Sequence, residues 1–182
     1  MLEGRLVRLR AHRPSDLDAC LRWMNDVEVL RTSAGRYPVS PSAEAAWLER
    51  VSAGDASGVP RDVHFGIDAL SDGRYIGNCS IERVSFENRS AEVGIMIGEK
   101  DCWDRGYGTD AMRTMLRFAF REMNLNRIQL DVFDFNARAI SSYRKCGFVE
   151  EGRRRKAWFA EGSYHDIVVM GVLRDEFEAA PE

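Results

Sequence analysis

The sequence predicts one α+β domain, a mixed central β-sheet of about six to seven strands flanked by about four helices. Three observations predict it. At 182 residues the chain can bury one good core and is short for two. Three strand-like runs follow one another in the middle of the chain, joined by hairpin signals, with helical periodicity on both sides. A strand–helix–strand segment from Ile95 to Phe133 then requires a parallel pair with a right-handed crossover.

The elements follow in order. "GRLVRLRAH" alternates with period two and predicts a first strand, with Leu6, Val7 and Leu9 as its apolar side chains. "RPSDLDACLRWM" places Pro14 and Ser15 at a helix start and Leu17, Leu21 and Met24 at helical spacing. "VSPSAEAAWLERV" predicts a second helix, opened by Ser40-Pro41 and carrying Ala45, Leu48 and Val51, and "AGDASGVPRD" is a polar loop. "VHFGIDAL", "RYIGNCSIERVSF" and "AEVGIMIG" are the antiparallel strands, turning at "SDG" and "ENRS". A helix from Gly106 to Met123 gathers Met112, Met115, Leu116, Ala119 and Met123 on one stripe and turns Arg113, Arg117 and Arg121 away. The methionines are core filler on this reading. "RIQLDVFD" is a strand with Ile128, Leu130 and Val132 alternating. "NARAISSYRKC" is a helix capped by Asn136 and closed by Gly147. "GFVEEGRRRKAWF" and "GSYHDIVVMGVL" are the last two strands, turning at "AEG", with "RRRK" on a solvated edge. There is no internal repeat, so residues 1–182 form one domain.

Composition excludes several classes. The chain is 45% hydrophobic and 30% charged, as ordinary globular proteins are, and its net charge of −3 provides no basic field for nucleic acid. Cys20, Cys79, Cys102 and Cys146 are scattered, without a C-x-x-C pair or histidines at metal spacing, so free thiols are expected rather than disulfides or a metal site. No apolar stretch approaches the ~18 residues of a membrane span, and the first residues lack the apolar core of a signal peptide. A cytoplasmic protein with no membrane partner is the expectation.

The chemistry concentrates in "EKDCWDRGYGTDAM", where Gly106 and Gly108 flank Tyr107 as a loop becomes the long helix. Glycine is disfavoured in a helix unless the backbone there has a task. Free amides at a helix start, with the helix dipole behind them, form an anion site, and glycine lets an anion approach. A tight turn needing only positive φ is the other reading. A P-loop is excluded because no Gly-Lys-Ser/Thr follows, and a dinucleotide fingerprint is incomplete and follows an antiparallel meander.

"SAEVGIMIGEKDCWDRGYGTDAMRTML" and "NLNRIQLDVFDFNARAISSYRKCGFVEEGRRRKAWF" together closely resemble the GNAT superfamily of acetyl-CoA-dependent N-acetyltransferases, nearest its RimJ/RimL-like and spermidine/spermine-type branch. The resemblance spans essentially the whole chain and is most specific from Ala91 to Phe159. It implies acetyl-CoA as cosubstrate, an amine acceptor, no metal, and is compatible with a homodimer. The family's pyrophosphate loop, Gln/Arg-x-x-Gly-x-Gly/Ala, falls on Trp103-Asp104-Arg105-Gly106-Tyr107-Gly108, so its first position is Trp instead of Gln or Arg. Through the resemblance the cofactor site comprises that loop with Thr109, the strand residues Ile95, Met96 and Ile97, and Asn136, Arg138, Ser142 and Tyr143. A backbone N–H near Ile95 or Met96 would bond the thioester carbonyl.

Two residues carry the implied chemistry. Tyr143 follows Asn136 by seven positions and matches the family's Asn-x6-Tyr-x3-Gly-Phe pattern as general acid toward sulfur, whereas spacing alone reads it as core and Asn136 as a cap. Glu92, on the strand face shared with Gly94 and Met96, is the preferred general base; Glu82 and Asp134 are rivals, and a solvated strand carboxylate is the ordinary alternative to Glu92. His165 has a suitable unperturbed pKa but reads as a structural strand histidine or part of the acceptor pocket. Cys102 beside the loop could suggest a thiol nucleophile, but the family transfers directly. The acceptor is set by "WMNDVEVLRTSAGRYPVSP", where Asp26 and Glu28 could attract a polyamine or a protein N-terminus, and by the "WFAEGSYHD" hairpin. A noncatalytic acyl-CoA-binding domain is the competing function.

Overall fold

The computed structural model describes residues 2–53 and 61–179, so most of the "AGDASGVPRD" loop lies outside the described residues. Seven strands form one sheet in the order β1-β2-β3-β4-β5-β7-β6. They are β1 (Val7–Arg10), β2 (Val63–Ala69), β3 (Tyr75–Ser85), β4 (Ser90–Ile97), β5 (Arg127–Phe133), β6 (Val149–Ala160) and β7 (Ser163–Leu173). Every neighbouring pair is antiparallel except β4 and β5, the parallel pair that the crossover requires. The helices among the described residues are α1 (Leu17–Trp23), α2 (Val27–Leu30), α3 (Pro41–Ala53), α4 (Tyr107–Arg121), α5 (Ala137–Lys145) and α6 (Arg174–Ala179). Helices α2 and α6 are beyond the expected four, and with 4 and 6 residues each is too short to show a periodic stripe. Asp26 starts α2, accepting the Glu28 amide at 2.9 Å.

Helix α4 explains one face of the sheet. Met112, Met115, Leu116 and Ala119 are fully buried, as the stripe predicts, and Phe120 joins them, while Met123 is half-buried. They pack on Val93, Ile128, Leu130, Val132, Val168 and Met170 in one cluster. Each large apolar side chain buried there contributes about 1.5–3 kcal/mol before cavity effects.

The other face carries α1, and here the predicted stripe is corrected. Leu17, Leu21 and Met24 are half-buried, whereas Cys20 and Trp23 are buried. Two turns of helix define a face poorly, and the largest side chain decides it. Trp23 packs against Tyr75 with ring centroids 4.8 Å apart and lies directly on Gly98, where any Cβ would collide with the indole. Its Nε1–H reaches Glu99 Oε1 at 3.1 Å, fastening α1 to the end of β4.

The feature that positions the site is a split in the sheet. Strands β4 and β5 pair only at Ser90–Arg127, Ala91–Ile128 and Glu92–Gln129, and beyond Glu92 their facing edges part. The Trp103 indole N–H donates to the Ile97 carbonyl at 2.7 Å, occupying an acceptor that would otherwise face β5.

Candidate active site

A cavity of about 650 Å³ occupies the split. Gly108, Thr109, Ser142 and Tyr143 line it on the α4–α5 side, and Thr32–Ala34, Asp131, Phe133, Trp158 and Ile167 on the other. It therefore passes between the strands, joining the two faces of the sheet.

Its helical end begins at the glycine loop. Asp104 (φ +58°) and Gly106 (φ +86°) both adopt left-handed backbone, which winds the loop tightly into α4 and accounts for glycine at the second position. No side chain caps the helix, so the amides of its first turn have no partner among the described residues. Gly108 has a different explanation. A Cβ there would meet only Ile97 Cγ1 at 3.6 Å, ordinary contact, so packing within the protein does not require glycine. The space it leaves opens on the cavity. Unpartnered amides, a helix dipole and a cleared approach fit an acidic pyrophosphate, and this is the test the acyl-CoA expectation passes.

Asp110 does not oppose an anion. Its carboxylate turns outward to accept the amides of Arg5, Leu6 and Val7 at 3.0, 2.7 and 3.0 Å, tying α4 to the start of β1. Arg138 supplies positive charge at the mouth. Its guanidinium sits 4.0 Å from the Trp103 ring centroid and 4.0 Å from an Asp104 carboxylate oxygen. Trp103 is thus a scaffold for β4 and for Arg138, with its own N–H already committed.

The β4 edge can be assigned by alternation. Gly98 N–H donates to Ile76 of β3 at 2.9 Å, while the Ile97 carbonyl faces Trp103. Amide and carbonyl of a strand residue point to the same edge, and edges alternate. The Ile95 amide therefore faces the split, and the Met96 amide faces β3. Met96 lines the cavity without presenting its N–H there.

Tyr143 lines the cavity from α5, its ring 5.9 Å from Phe148, and its hydroxyl has no hydrogen-bond partner among the described residues. Burial pushes it up to about 12, so it is a neutral donor at every physiological pH. Ser142 bonds Thr109 at 2.7 Å, joining α5 to α4. Asn136 caps α5 by accepting the Ala139 amide at 3.1 Å, and it also lines the cavity, so the two readings of this residue coexist.

Other expected residues stand apart. Arg105 turns to the Asp101 carbonyl at 3.3 Å, and Tyr107 packs against the core. Glu92 lies at the closed end of the split, one residue before the lining begins; Arg83 holds it at 2.8 Å and Gln129 donates to it at 3.1 Å. Glu82 sits directly across from it on β3. Asp134 and His165 form their own pair at 3.5 Å beyond the end of β5. Cys102, by contrast, does border the cavity, but it is buried, and burial raises its thiol, which disfavours the thiolate a nucleophile needs. Sequence reasoning missed Asp131, Phe133 and Ile167. Alternation on β5 could have found the first two, since they oppose the core residues Leu130 and Val132.

Comparison with known proteins agrees with this geometry. The model of the acetyltransferase (GNAT) domain matches residues 6–149. YdaF of Bacillus subtilis, provisionally named a ribosomal N-acetyltransferase, is 34% identical over 115 residues, spanning 62% of this chain and 62% of that protein. The L-amino acid N-acetyltransferase AaaT of Escherichia coli is 33% identical over 131 residues, 70% of this chain and 75% of its own. The structure of spermidine N-acetyltransferase from Vibrio cholerae, in complex with CoA and spermine, superposes with a TM-score of 0.82 at 24% identity, over 94% of this chain and 98% of that one, and shows the same fold. A split sheet, an uncapped glycine-rich helix start and a family match across most of the chain agree: this protein belongs to the acetyltransferase (GNAT) family, the acetyl-CoA-dependent N-acetyltransferases.

Proposed function

We propose that the chain moves the acetyl group directly from acetyl-CoA to a primary amine, of a small molecule, a polyamine or a protein N-terminus, that enters opposite the cofactor. The single observation carrying this reading is the cavity's passage through the sheet, which lets the two substrates meet between β4 and β5. The residues have distinct tasks. The first-turn amides of α4, with Arg138 nearby, hold the pyrophosphate. Asn136, Thr109 and Ser142 border the pantetheine arm. The Ile95 N–H stabilises negative charge on the carbonyl oxygen. Tyr143 donates its proton toward the departing sulfur. Glu92 removes the amine proton through water, since its carboxylate lies outside the lining; an unchanged acidic limb of the pH–rate profile in Glu92→Gln would remove it from the mechanism.

Residues 1–182 act as one domain on this reading, cytoplasmic and without nucleic-acid or membrane partners. A net charge of −3 supports the lack of a nucleic-acid partner, and among the described residues no helix is long and apolar enough to cross a membrane. A homodimer is proposed from the likeness to the family alone. The test is CoA release from acetyl-CoA over a panel of polyamines, amino acids, aminoglycosides and N-terminal peptides. Amine-dependent turnover is expected. Tight acetyl-CoA binding with no turnover across the panel would instead make this a noncatalytic acyl-CoA-binding protein.

A further inference from the structure

The acceptor end of the cavity has a definite charge pattern. Its wall is aromatic: Phe133 stacks on Trp158 at 4.5 Å and on Phe135 at 5.3 Å. The carboxylates around this opening are already engaged. Asp131, the acid that lines it, is paired with Arg154, and Glu161 at the hairpin tip is paired with Arg31 at 3.0 Å. Asp134 faces His165 and accepts the Asp166 amide at 3.1 Å. Asp26 and Glu28, the acids on the neighbouring helix, both hold Lys100, at 2.8 and 3.1 Å. Glu82 has no ion-pair partner among the described residues, but it lies beside Glu92 and does not line the cavity.

Among the described residues, the one carboxylate in the lining at this end is paired, whereas a cation beside the lining is not. Arg36 is exposed, two residues after the Thr32–Ala34 stretch of the lining, and its guanidinium sits 3.9 Å from the centroid of Trp158. It makes no ion pair and donates no hydrogen bond among the described residues. A guanidinium over an indole is held in place by its face while its N–H edge stays free, the geometry that takes a carboxylate with two parallel hydrogen bonds. A polyamine entering here would meet a cation, while Asp131, the acid of the lining at this end, is already paired.

We propose that Arg36, stacked on Trp158, is a carboxylate-recognition site, and that the preferred acceptor is an amine bearing a carboxylate: a free amino acid or a peptide with an acidic residue near its N-terminus. This rests on the reading of the cavity as the site of acetyl transfer, and it narrows the acceptor class.

The experiment compares kcat/KM, at saturating acetyl-CoA, for L-amino acids against their own amides, for acidic against neutral N-terminal peptides, and for spermidine. The amide has the less basic amine, so a preference for the acid cannot come from amine protonation. One charge-assisted contact predicts roughly a ten- to hundredfold preference for the carboxylate form, falling to about one in Arg36→Gln. Preference confined to the peptide pair identifies the acidic side chain as the ligand, and preference in the amino acid pair identifies the α-carboxylate. Calorimetry with an N-acetylated amino acid against its N-acetylated amide reads the same contact without turnover, and acetyl-CoA affinity of the variant checks its fold. Equal use of acids and amides, a better rate with spermidine, or a preference that survives Arg36→Gln would overturn the proposal while leaving acetyl transfer intact. No turnover of any amine would overturn both.

Discussion

The two ends of the cavity are built in opposite ways. At the end proposed for the cofactor, the groups offered to the cavity belong to backbone: the amides of the first turn of α4, the Ile95 N–H, and a glycine whose missing side chain leaves room. They come from adjacent stretches of chain, β4 and α4 with the loop between. At the acceptor end the groups are side chains from four distant places, the loop after α2, the last residues of β5, β6 and β7. Backbone geometry can be preserved under many sequences, whereas a side-chain wall changes with each substitution. On the proposed reading, one end is fitted to a constant ligand and the other to a particular one.

Variants that touch only one end sharpen this contrast. The largest effect is expected at Tyr143, the proposed proton donor, which lines the cavity between the two ends. Tyr143→Phe keeps the ring against Phe148 and should lower kcat by about 10²–10³-fold, with acetyl-CoA affinity within about twofold. The sign of its pH dependence follows from burial. The active form is the neutral phenol, and its ionisation is raised to about 12, so activity attributable to it persists as pH rises and is lost only on approaching that value. A basic limb near the ordinary tyrosine value, absent from the Phe variant, would contradict the buried donor.

Gly108→Val comes next. The new Cβ has only ordinary contacts, and the side chain enters the space proposed for the phosphates. The KM for acetyl-CoA should rise by roughly 30–100-fold, with thermal stability little changed and the ranking of acceptors untouched. A variant with normal KM would show that Gly108 serves the turn alone.

The smallest effect is at Trp103, which acts through its neighbours. Trp103→Phe keeps a ring beneath Arg138 but frees the Ile97 carbonyl, whereas Trp103→Gln keeps an N–H donor and loses the ring. Each should cost about three- to tenfold: the Phe variant mainly in kcat, through the β4 edge, and the Gln variant mainly in KM for acetyl-CoA. Identical kinetics for the two would contradict the division of its roles.

The same contrast decides what was legible in the sequence. The α4 stripe, the Asn136 cap, the parallel crossover and the glycine loop are local patterns with fixed spacing, and they appear where the residues predict them. The gap between β4 and β5 was not legible, because it depends on where pairing stops after Glu92 and on Trp103 reaching back to Ile97. The face of α1 was misjudged because Trp23 answers to Gly98, a residue far along the chain. Glu92 has the right chemistry on the right strand, yet its distance from the lining is set by register across three strands. Phe133 and Trp158 become one wall only when β7 inserts between β5 and β6, and alternation within one strand cannot foresee that neighbour.

Direct transfer across the split is the claim on which both ends depend, and initial rates with acetyl-CoA and amine varied together test it most directly, alongside the intact mass of enzyme incubated with acetyl-CoA alone. The account predicts intersecting double-reciprocal lines, an unmodified protein mass and near-normal turnover in Cys102→Ala. Parallel lines with an acetylated enzyme, and loss of turnover in Cys102→Ala with acetyl-CoA affinity retained, would contradict it.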